Sequence, residues 1–225
     1  MKEKSIDGFQ HVKYTKATYP ATEMLNRTID FYHWMDERRT VRDISDRPVH
    51  RKVIENIVLA AGTAPSGAHK QPWTFCVVHD PTIKHQIREA AEKEEYESYT
   101  KRMSERWKGD LKPLATDWNK PFLDRAPYLI IVFKKVYELA EGEKANNYYV
   151  NESVGIACGF MLAAIHNAGL VTVPHTPSPM NFLSKILDRP GNERPFLLLP
   201  VGYPEGDAYV PMLERKTLDK IMNFY

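Results

Sequence analysis

The densest group of potential ligand-binding side chains in this 225-residue sequence lies between positions 38 and 42. It consists of Arg38, Arg39, Thr40 and Arg42. Guanidinium groups present planar forks of donors and the threonine hydroxyl adds a short donor, so this composition suits a phosphate. A solvated basic helix end, favoured by the helix dipole, explains the same residues and is the simpler interpretation of this segment alone.

A second candidate site is the loop Pro65-Ser66-Gly67-Ala68, which connects a predicted helix to a predicted strand. Proline restricts such a turn, while serine and glycine let backbone N–H groups approach a ligand closely. An ordinary helix-to-strand connection can have the same composition, so the loop alone does not indicate a function.

A third candidate is the turn Pro174-His175-Thr176-Pro177, which follows a short predicted strand. His175 has the chemistry of a general base at neutral pH. A lone histidine is more often structural, so this turn gains meaning only together with the other two segments.

The overall composition excludes several classes of protein. Hydrophobic residues make up 43% and charged residues 27%, as in globular rather than disordered or fibrous chains. The net charge of +2 provides no strongly basic surface for nucleic acid, and the sequence has neither a G-x-G-x-x-G nor a Walker A motif. The longest low-charge stretch, Val154 to Ile165, is shorter than the ~20 residues that span a membrane. With no signal peptide either, we expect a soluble, cytoplasmic protein without a membrane partner.

The two cysteines, Cys76 and Cys158, each lie in an apolar run of the sequence. Two such thiols far apart in the chain are typical of reduced packing residues rather than of a disulfide or a metal pair. We therefore expect no metal site.

Hydrophobic periodicity predicts a chain of helices and strands of the α+β or α/β class. We expect an irregular N-terminal arm over residues 1–22 and one domain over residues 23–225. The predicted helices cover Met24–Glu37, the segment between Pro48 and Gly62, Tyr148–Asn167 and Asn181–Leu187. The predicted strands cover Thr74–Val78, Tyr128–Phe133, Val171–Val173 and Phe196–Val201.

The segment from Pro81 to Trp107 has a helical pattern whose apolar face changes along its length. Ile83, Ile87 and Ala90 form one stripe, and Tyr96, Tyr99, Met103 and Trp107 form another about 140° away. The change falls at the charged run Glu92–Glu95. We therefore expect a bend there, with the second half covering something other than the domain core.

Taken together and in order, these segments resemble the FMN-dependent nitroreductase superfamily and, within it, the iodotyrosine deiodinase family. The superfamily resemblance rests on Arg38–Arg42, Pro65–Ala68, Gly202–Pro204 and Arg215–Asp219. The deiodinase resemblance rests on Ala61–His69, Gln71–Phe75, Lys101–Met103, Arg106–Trp107, Ser153–Gly159, Asn167–Val173 and Leu199–Pro204. Animal members carry an N-terminal membrane anchor that this sequence lacks, so we expect a soluble, bacterial-type relative. The resemblance implies a central mixed sheet flanked by helices, in an intertwined homodimer.

The resemblance also implies FMN as the cofactor and places its ligands by position. Arg38, Arg39, Thr40 and Arg215 match residues that hold the FMN phosphate, and Arg42 matches an arginine near the flavin pyrimidine. Pro65, Ser66 and Gly67 match the loop that lines the flavin. Pro174, His175 and Thr176 match the segment at the flavin edge, where the Thr176 hydroxyl is expected to bond N5 as a catalytic contact. Animal members have threonines throughout that segment, so Pro174 and His175 are departures from the family pattern.

A halotyrosine site is implied in the same way. Ala68 matches the residue whose backbone N–H meets the substrate phenolate, which gives it a catalytic role. Glu95 and Tyr99, four residues apart on one helical face, match the residues that hold the substrate ammonium. Lys120 matches the residue that takes the carboxylate. The acidic run leaves open whether Glu92, Glu94 or Glu95 faces the substrate. Residues 92–120 are expected to form a substrate lid, and residues 204–225 a tail that reaches the partner subunit.

The implied activity is reductive removal of halide from 3-halotyrosines, by sequential one-electron transfer from reduced FMN. Iodotyrosine would yield tyrosine and iodide. The electron donor is unidentified and could be NAD(P)H, acting directly or through a reductase. Two alternatives stay open: a general nitroreductase or flavin reductase on the same fold, and a non-catalytic protein that binds flavin or halotyrosine.

Overall fold

A computed structural model describes residues 3–140 and 142–225 of the chain. The chain folds as two compact units, Met1–Arg38 and Arg39–Tyr225. The division groups the first long helix with the N-terminal arm. The extent of the single domain expected over residues 23–225 stays a prediction.

The first unit contains a β-hairpin and a helix. Strands β1 (Glu3–Ile6) and β2 (Phe9–Val12) pair antiparallel. Asp7 and Gly8 form the turn between them, both with positive φ. The prediction of an irregular arm was therefore wrong for residues 3–12. The Asp-Gly pair was the available signal, because this dipeptide favours the two-residue turns of hairpins.

Helix α1 (Ala21–Glu37) follows Pro20 and has an apolar stripe, as its periodicity predicted. None of its residues is buried. The exposed large side chains are Met24, Leu25, Ile29, Phe31 and Tyr32. An apolar surface of this size on one helix is unusual for a monomer.

The second unit is built on a four-stranded antiparallel sheet. Its strands are β3 (Trp73–Val78), β4 (Tyr128–Lys135), β7 (Val171–Thr172) and β8 (Glu193–Gly202), in the order β3-β4-β8-β7. Among the described residues, the mixed character expected from the sequence is limited to one parallel bridge, between Thr40 and Thr172.

Helices cover both faces of this sheet and bury strand β4 completely at its centre. Helices α2 (Arg51–Gly62) and α6 (Val150–Asn167) form one core with Ile130 and Val132. Leu129, Ile131 and Phe133 point to the other face, where a core forms with α3 (Pro81–Glu97), α5 (Phe122–Arg125) and α7 (Asn181–Ile186). Successive residues of β4 thus enter the two cores in turn, which explains why its sequence is one continuous apolar run.

Both cysteines are free thiols in the second unit, as predicted. Cys158 is buried on α6 and Cys76 is half-buried on β3. Burial in apolar surroundings raises the pKa of Cys158 to about 12, so this thiol is chemically inert near neutral pH.

The bend expected between Pro81 and Trp107 exists, but it lies later in the chain than predicted. Helix α3 continues to Glu97, a π-helical turn spans Ser98–Arg102, and helix α4 (Glu105–Leu111) then begins. Ser104 caps α4, because its hydroxyl accepts from the Trp107 N–H at 3.2 Å. The charged run Glu92–Glu95 stays helical since glutamate and lysine are good helix formers.

A second hairpin, β5 (Tyr137–Ala140) and β6 (Glu143–Asn146), and the short helices α4 and α5 had no counterpart in the prediction. Within the described ranges, no helix has both the length and the apolarity needed to cross a lipid bilayer.

Candidate functional site

Seven of the predicted site residues line one cavity of about 160 Å³ in the second unit. They are Arg42, Glu95, Tyr99, Lys120, Pro174, His175 and Thr176. These seven residues come from four segments that are far apart in sequence: the start of the unit, α3 with its π-helical turn, the chain before α5, and the turn after β7.

Lys120 is the most deeply buried charged residue of this cavity, with 4% of its surface exposed. Its ammonium donates to the Thr116 hydroxyl at 3.2 Å and to the backbone oxygen of Asp117. Burial lowers the pKa of Lys120, and the neighbouring Glu95 carboxylate opposes that shift. These partners hold the lysine ammonium at a fixed place in the cavity wall.

Glu95 lies opposite Lys120, with 3.8 Å between its Oε2 and the lysine Nζ. Burial raises the pKa of Glu95, while Lys120 and then Arg102 lower it. Among the described residues, Glu95 is also the acidic side chain that lines the cavity. The charged lining therefore comprises one carboxylate and two cations, Lys120 and Arg42.

The other two acidic candidates are engaged elsewhere. The Glu92 carboxylate accepts from Arg88 Nε at 2.7 Å and from the Lys120 backbone N–H at 2.7 Å. Glu94 pairs with Arg102 at 2.9 Å. Of the three candidates that the sequence left open, Glu95 is the one whose position suits a ligand in the cavity.

Tyr99 follows Glu95 by one turn and faces the same cavity from the π-helical segment. Its hydroxyl donates to the backbone oxygen of Thr116 at 3.2 Å. Burial raises the pKa of Tyr99, and the charge of Glu95 raises it further, so the phenol stays protonated and acts as a donor. Thr116, which also bonds Lys120, was not predicted from the sequence.

Arg42 contributes the second cation of the cavity and is half-buried. Burial lowers its pKa, but a guanidinium keeps its proton in proteins. A fixed positive charge at this place would stabilise an anion that forms in the cavity.

His175 is 7% exposed, and its backbone N–H and C=O pair with Leu198 at 2.9 and 3.0 Å. Its ring meets the ring of Phe122 edge to face, with centroids 5.8 Å apart. Among the described residues, its Nε2 has no hydrogen-bond partner. Burial, and then the charges of Lys120 and Arg42, lower the pKa of His175 to about 3. The imidazole is therefore neutral at physiological pH.

The loop Pro65–Ala68 holds an unusual backbone but does not line this cavity. Ala68 and His69 have φ values of 47° and 54°, which cost energy for residues with a Cβ. The Ser66 hydroxyl stabilises the turn by accepting from the Gln71 N–H at 2.9 Å.

Gly67 has little space around its Cα in this loop. A Cβ at that position would lie 3.0 Å from Tyr149 Cδ2 and 3.2 Å from the Tyr148 backbone oxygen. Its N–H points to the Ser153 hydroxyl at 3.4 Å, so the loop is tied to the start of α6.

The residues expected at the FMN phosphate contact different parts of the chain. Arg38 ends α1 in the first unit, where its N–H donates to Met35 O at 3.2 Å. Arg39 donates to the backbone oxygen of Pro211, and Thr40 bridges to Thr172. Arg215 is exposed in the C-terminal tail. Arg39, Thr40 and Arg215 do not line the cavity described above.

Sequence reasoning missed part of the cavity wall. Met103 and Trp107 belonged to the second apolar stripe, but Leu111, Thr116, Phe122 and Val173 also line the cavity. Phe122 and Val173 are core-like residues whose types carry no functional signal. Their place beside the site follows only from the packing of α5 and β7.

Comparison with known proteins identifies the family. The nitroreductase family pattern matches residues 35–203. Iodotyrosine deiodinase from Haliscomenobacter hydrossis is 62% identical over 215 residues, which cover 95% of this chain and 97% of that protein. Human iodotyrosine deiodinase 1 is 50% identical over 224 residues, 98% of this chain and 77% of that protein.

A solved structure agrees with the sequence relatives and confirms the predicted fold class. It is the crystal structure of oxidized iodotyrosine deiodinase bound to FMN and 3-iodo-L-tyrosine. It is similar to this chain with a TM-score of 0.75 and 32% identity, over 86% of this chain and 99% of the other. This chain therefore belongs to the nitroreductase family, and the two relatives given above, which match almost its whole length, are named iodotyrosine deiodinase.

Proposed function

We propose that this chain removes halide reductively from 3-halotyrosines, with FMN as the cofactor. The observation that carries the proposal is the buried pair of Glu95 and Lys120, with Tyr99 beside it, in one cavity. The relatives named iodotyrosine deiodinase, and the related structure bound to FMN and 3-iodo-L-tyrosine, support it.

The two buried charges are complementary to an amino-acid zwitterion. A substrate ammonium would take Glu95 and a substrate carboxylate would take Lys120, so that each buried charge keeps an opposite partner. Charges removed from water are stabilised only by such pairing. A simple phenol has neither group and therefore gains neither contact, which favours amino acids over simple phenols.

The residues of this chain also fit a flavin mononucleotide. The buried Nε2 of His175 has no partner among the described residues, and the Thr176 hydroxyl follows it in the same turn. We assign Pro174, His175 and Thr176 to the edge of the flavin, and Pro65, Ser66 and Gly67 to its face. Arg38, Arg39, Thr40 and Arg215 supply the donors for the phosphate. When bound and reduced, FMN supplies the two electrons of the reaction, one at a time.

3-Iodotyrosine takes up two electrons and one proton, the C–I bond breaks, iodide leaves with the bonding pair, and the proton replaces it at carbon. Arg42 stabilises negative charge in the cavity, and the backbone N–H of Ala68 is assigned to the phenolate oxygen. Half-buried Met103 and Leu111 limit the access of water.

Two uncovered apolar faces support a homodimer. One is the stripe of α1, none of whose residues is buried. The other lies on α6, where Ile156 and Phe160 are 42% and 43% exposed beside Gly155 and Gly159. We infer that a second copy covers these faces and that the tail, residues 204–225, reaches it. The lid over residues 92–120, the cytoplasmic location and NAD(P)H as the source of electrons stay predictions.

An anaerobic assay tests the proposal against its alternatives. Protein reconstituted with FMN and reduced with dithionite should convert iodotyrosine into equimolar tyrosine and iodide. Reduction of nitroaromatics without release of iodide would favour a general nitroreductase or flavin reductase. Tight binding of iodotyrosine with no turnover would favour a non-catalytic binding protein.

A further inference from the structure

Lys120 is held from both ends by one turn of α3. Glu95 faces its ammonium at 3.8 Å, and Glu92, three residues earlier, accepts from its backbone N–H at 2.7 Å. A lysine side chain has four flexible carbons, so the position of its backbone decides where its ammonium can reach. Glu92 therefore fixes the backbone of Lys120, the residue whose ammonium lines the cavity.

Glu92 does not line the cavity, and Arg88 fixes its orientation from the other side. The same Oε1 atom accepts from Arg88 Nε at 2.7 Å. The two side chains are only 25% and 18% exposed, so this pair is less screened by water than a surface ion pair.

Arg88 also holds the chain on both sides of Lys120. Its guanidinium donates to Asn119 Oδ1 at 3.1 Å and to Asp124 Oδ2 at 2.9 Å. Together with Glu92 it therefore contacts residues 119, 120 and 124. Three contacts from two side chains of α3 define how this stretch sits against the helix.

We propose that Glu92, oriented by Arg88, is a positioning residue for Lys120 that sets the selectivity for the amino-acid end of the substrate. The inference rests on the proposed function, because it assumes that Lys120 receives the substrate carboxylate. Loss of Glu92 frees the Lys120 backbone, and the ammonium then spends less time at the place that a carboxylate requires. Binding of the aromatic ring is unaffected by this change.

A purely structural ion pair would lower stability without changing selectivity, and the chain offers variants that separate the two roles. Glu92→Ala removes the acceptor for both Lys120 and Arg88. Glu92→Gln keeps an amide oxygen that can accept from the Lys120 N–H. Glu89→Ala is the matched control, since Glu89 is exposed on the same helix and pairs only with His85, at 3.7 Å, within the described contacts.

The experiment is an equilibrium titration of the FMN-loaded enzyme with 3-iodotyrosine and, separately, with 2-iodophenol. Glu92→Ala should raise the dissociation constant of iodotyrosine about tenfold and change that of iodophenol less than twofold. Glu92→Gln should recover most of the loss, and Glu89→Ala should match the wild type. Hydrogen exchange of a peptide spanning residues 118–122 should be faster in Glu92→Ala alone.

Equal losses for both ligands, or unchanged affinity together with unchanged exchange, would overturn the positioning role. Arg88→Ala provides a second test if Glu92→Ala does not fold, with the same selective loss expected. Failure of the proposed function has a different signature. The wild type would then bind iodotyrosine no better than iodophenol, and the inference would fall with it.

Discussion

The ammonium of Lys120 lies 3.8 Å from the carboxylate of Glu95, and the two side chains are only 5% and 13% exposed. Burial shifts the pKa of each toward its neutral form, raising that of Glu95 and lowering that of Lys120. Their mutual attraction opposes both shifts. This attraction explains why the two can face each other away from water, and a bound zwitterion would replace it with two new contacts of the same kind.

The pH dependence of substrate affinity should follow this pair. Glu95 must be ionised to hold an ammonium, so affinity falls as the pH drops through its raised pKa. Lys120 must be protonated to hold a carboxylate, so affinity falls as the pH rises through its lowered pKa. The pH range of tight binding is thus narrower than the range between the ordinary pKa values of glutamate and lysine.

The measurement is the ratio of iodotyrosine to iodophenol affinity as a function of pH, because the shared phenol cancels. Glu95→Gln should remove the acidic limb of that profile. An acidic limb that persists in this variant would assign the titration to another group.

The affinity for FMN tests the residues that we assign to its phosphate. Arg39→Ala and Arg215→Ala should each raise the dissociation constant for FMN by one to two decades, since a charge-assisted contact contributes about 1.5–3 kcal/mol. Arg51→Ala is the control, because Arg51 is exposed at the start of α2 and pairs with Glu55. The check is the dissociation constant from flavin fluorescence. Wild-type affinity in both arginine variants would place the phosphate elsewhere.

Thr176 should distinguish dehalogenation from nitro reduction. A hydrogen bond of about 1 kcal/mol from its hydroxyl to the flavin would favour one-electron steps several-fold. In Thr176→Ala, release of iodide should therefore fall more than the affinity for iodotyrosine, while nitroaromatic reduction survives or rises. Parallel anaerobic assays of both reactions provide the comparison. Equal effects on the two activities would remove Thr176 from the one-electron mechanism.

The oligomeric state tests the uncovered face of α6. Phe160→Arg places a charge on a helix face that we assign to the contact between two copies, and burial of an unpaired charge is strongly unfavourable. Sedimentation should show a dimer for the wild type and a monomer with reduced FMN content for the variant. Gln86→Arg, exposed on α3, should stay dimeric. A monomeric wild type would contradict the assignment.

Local patterns in the sequence predicted the elements that position the site. The apolar run of β4 and the periodicity of α2 and α6 placed these elements to within a few residues, because the centre of β4 is buried and each helix buries apolar residues at helical spacing. The exposed hairpins β1–β2 and β5–β6 were missed since their strands lack a buried face. Motif resemblance, not periodicity, supplied Glu95, Tyr99 and Lys120.

What the sequence could not predict depends on contacts between distant segments. The choice of Glu95 over Glu92 and Glu94 follows from Arg88 and Arg102, whose partners no local pattern reveals. The neutral state of His175 follows from its burial against Phe122 and from the charges of Lys120 and Arg42. Such facts arise only when α3, the chain before α5 and the turn after β7 meet.

The dissociation constants of 3-iodotyrosine and 2-iodophenol, measured for the FMN-loaded wild type, Glu95→Gln and Lys120→Ala, test the zwitterion site most directly. Glu89→Gln serves as the surface control. Each site variant should bind iodotyrosine at least tenfold more weakly, at about 1.4 kcal/mol per decade, and iodophenol almost unchanged. A wild type that binds iodophenol as tightly as iodotyrosine, or site variants that bind iodotyrosine as the wild type does, would contradict recognition of the substrate by this pair.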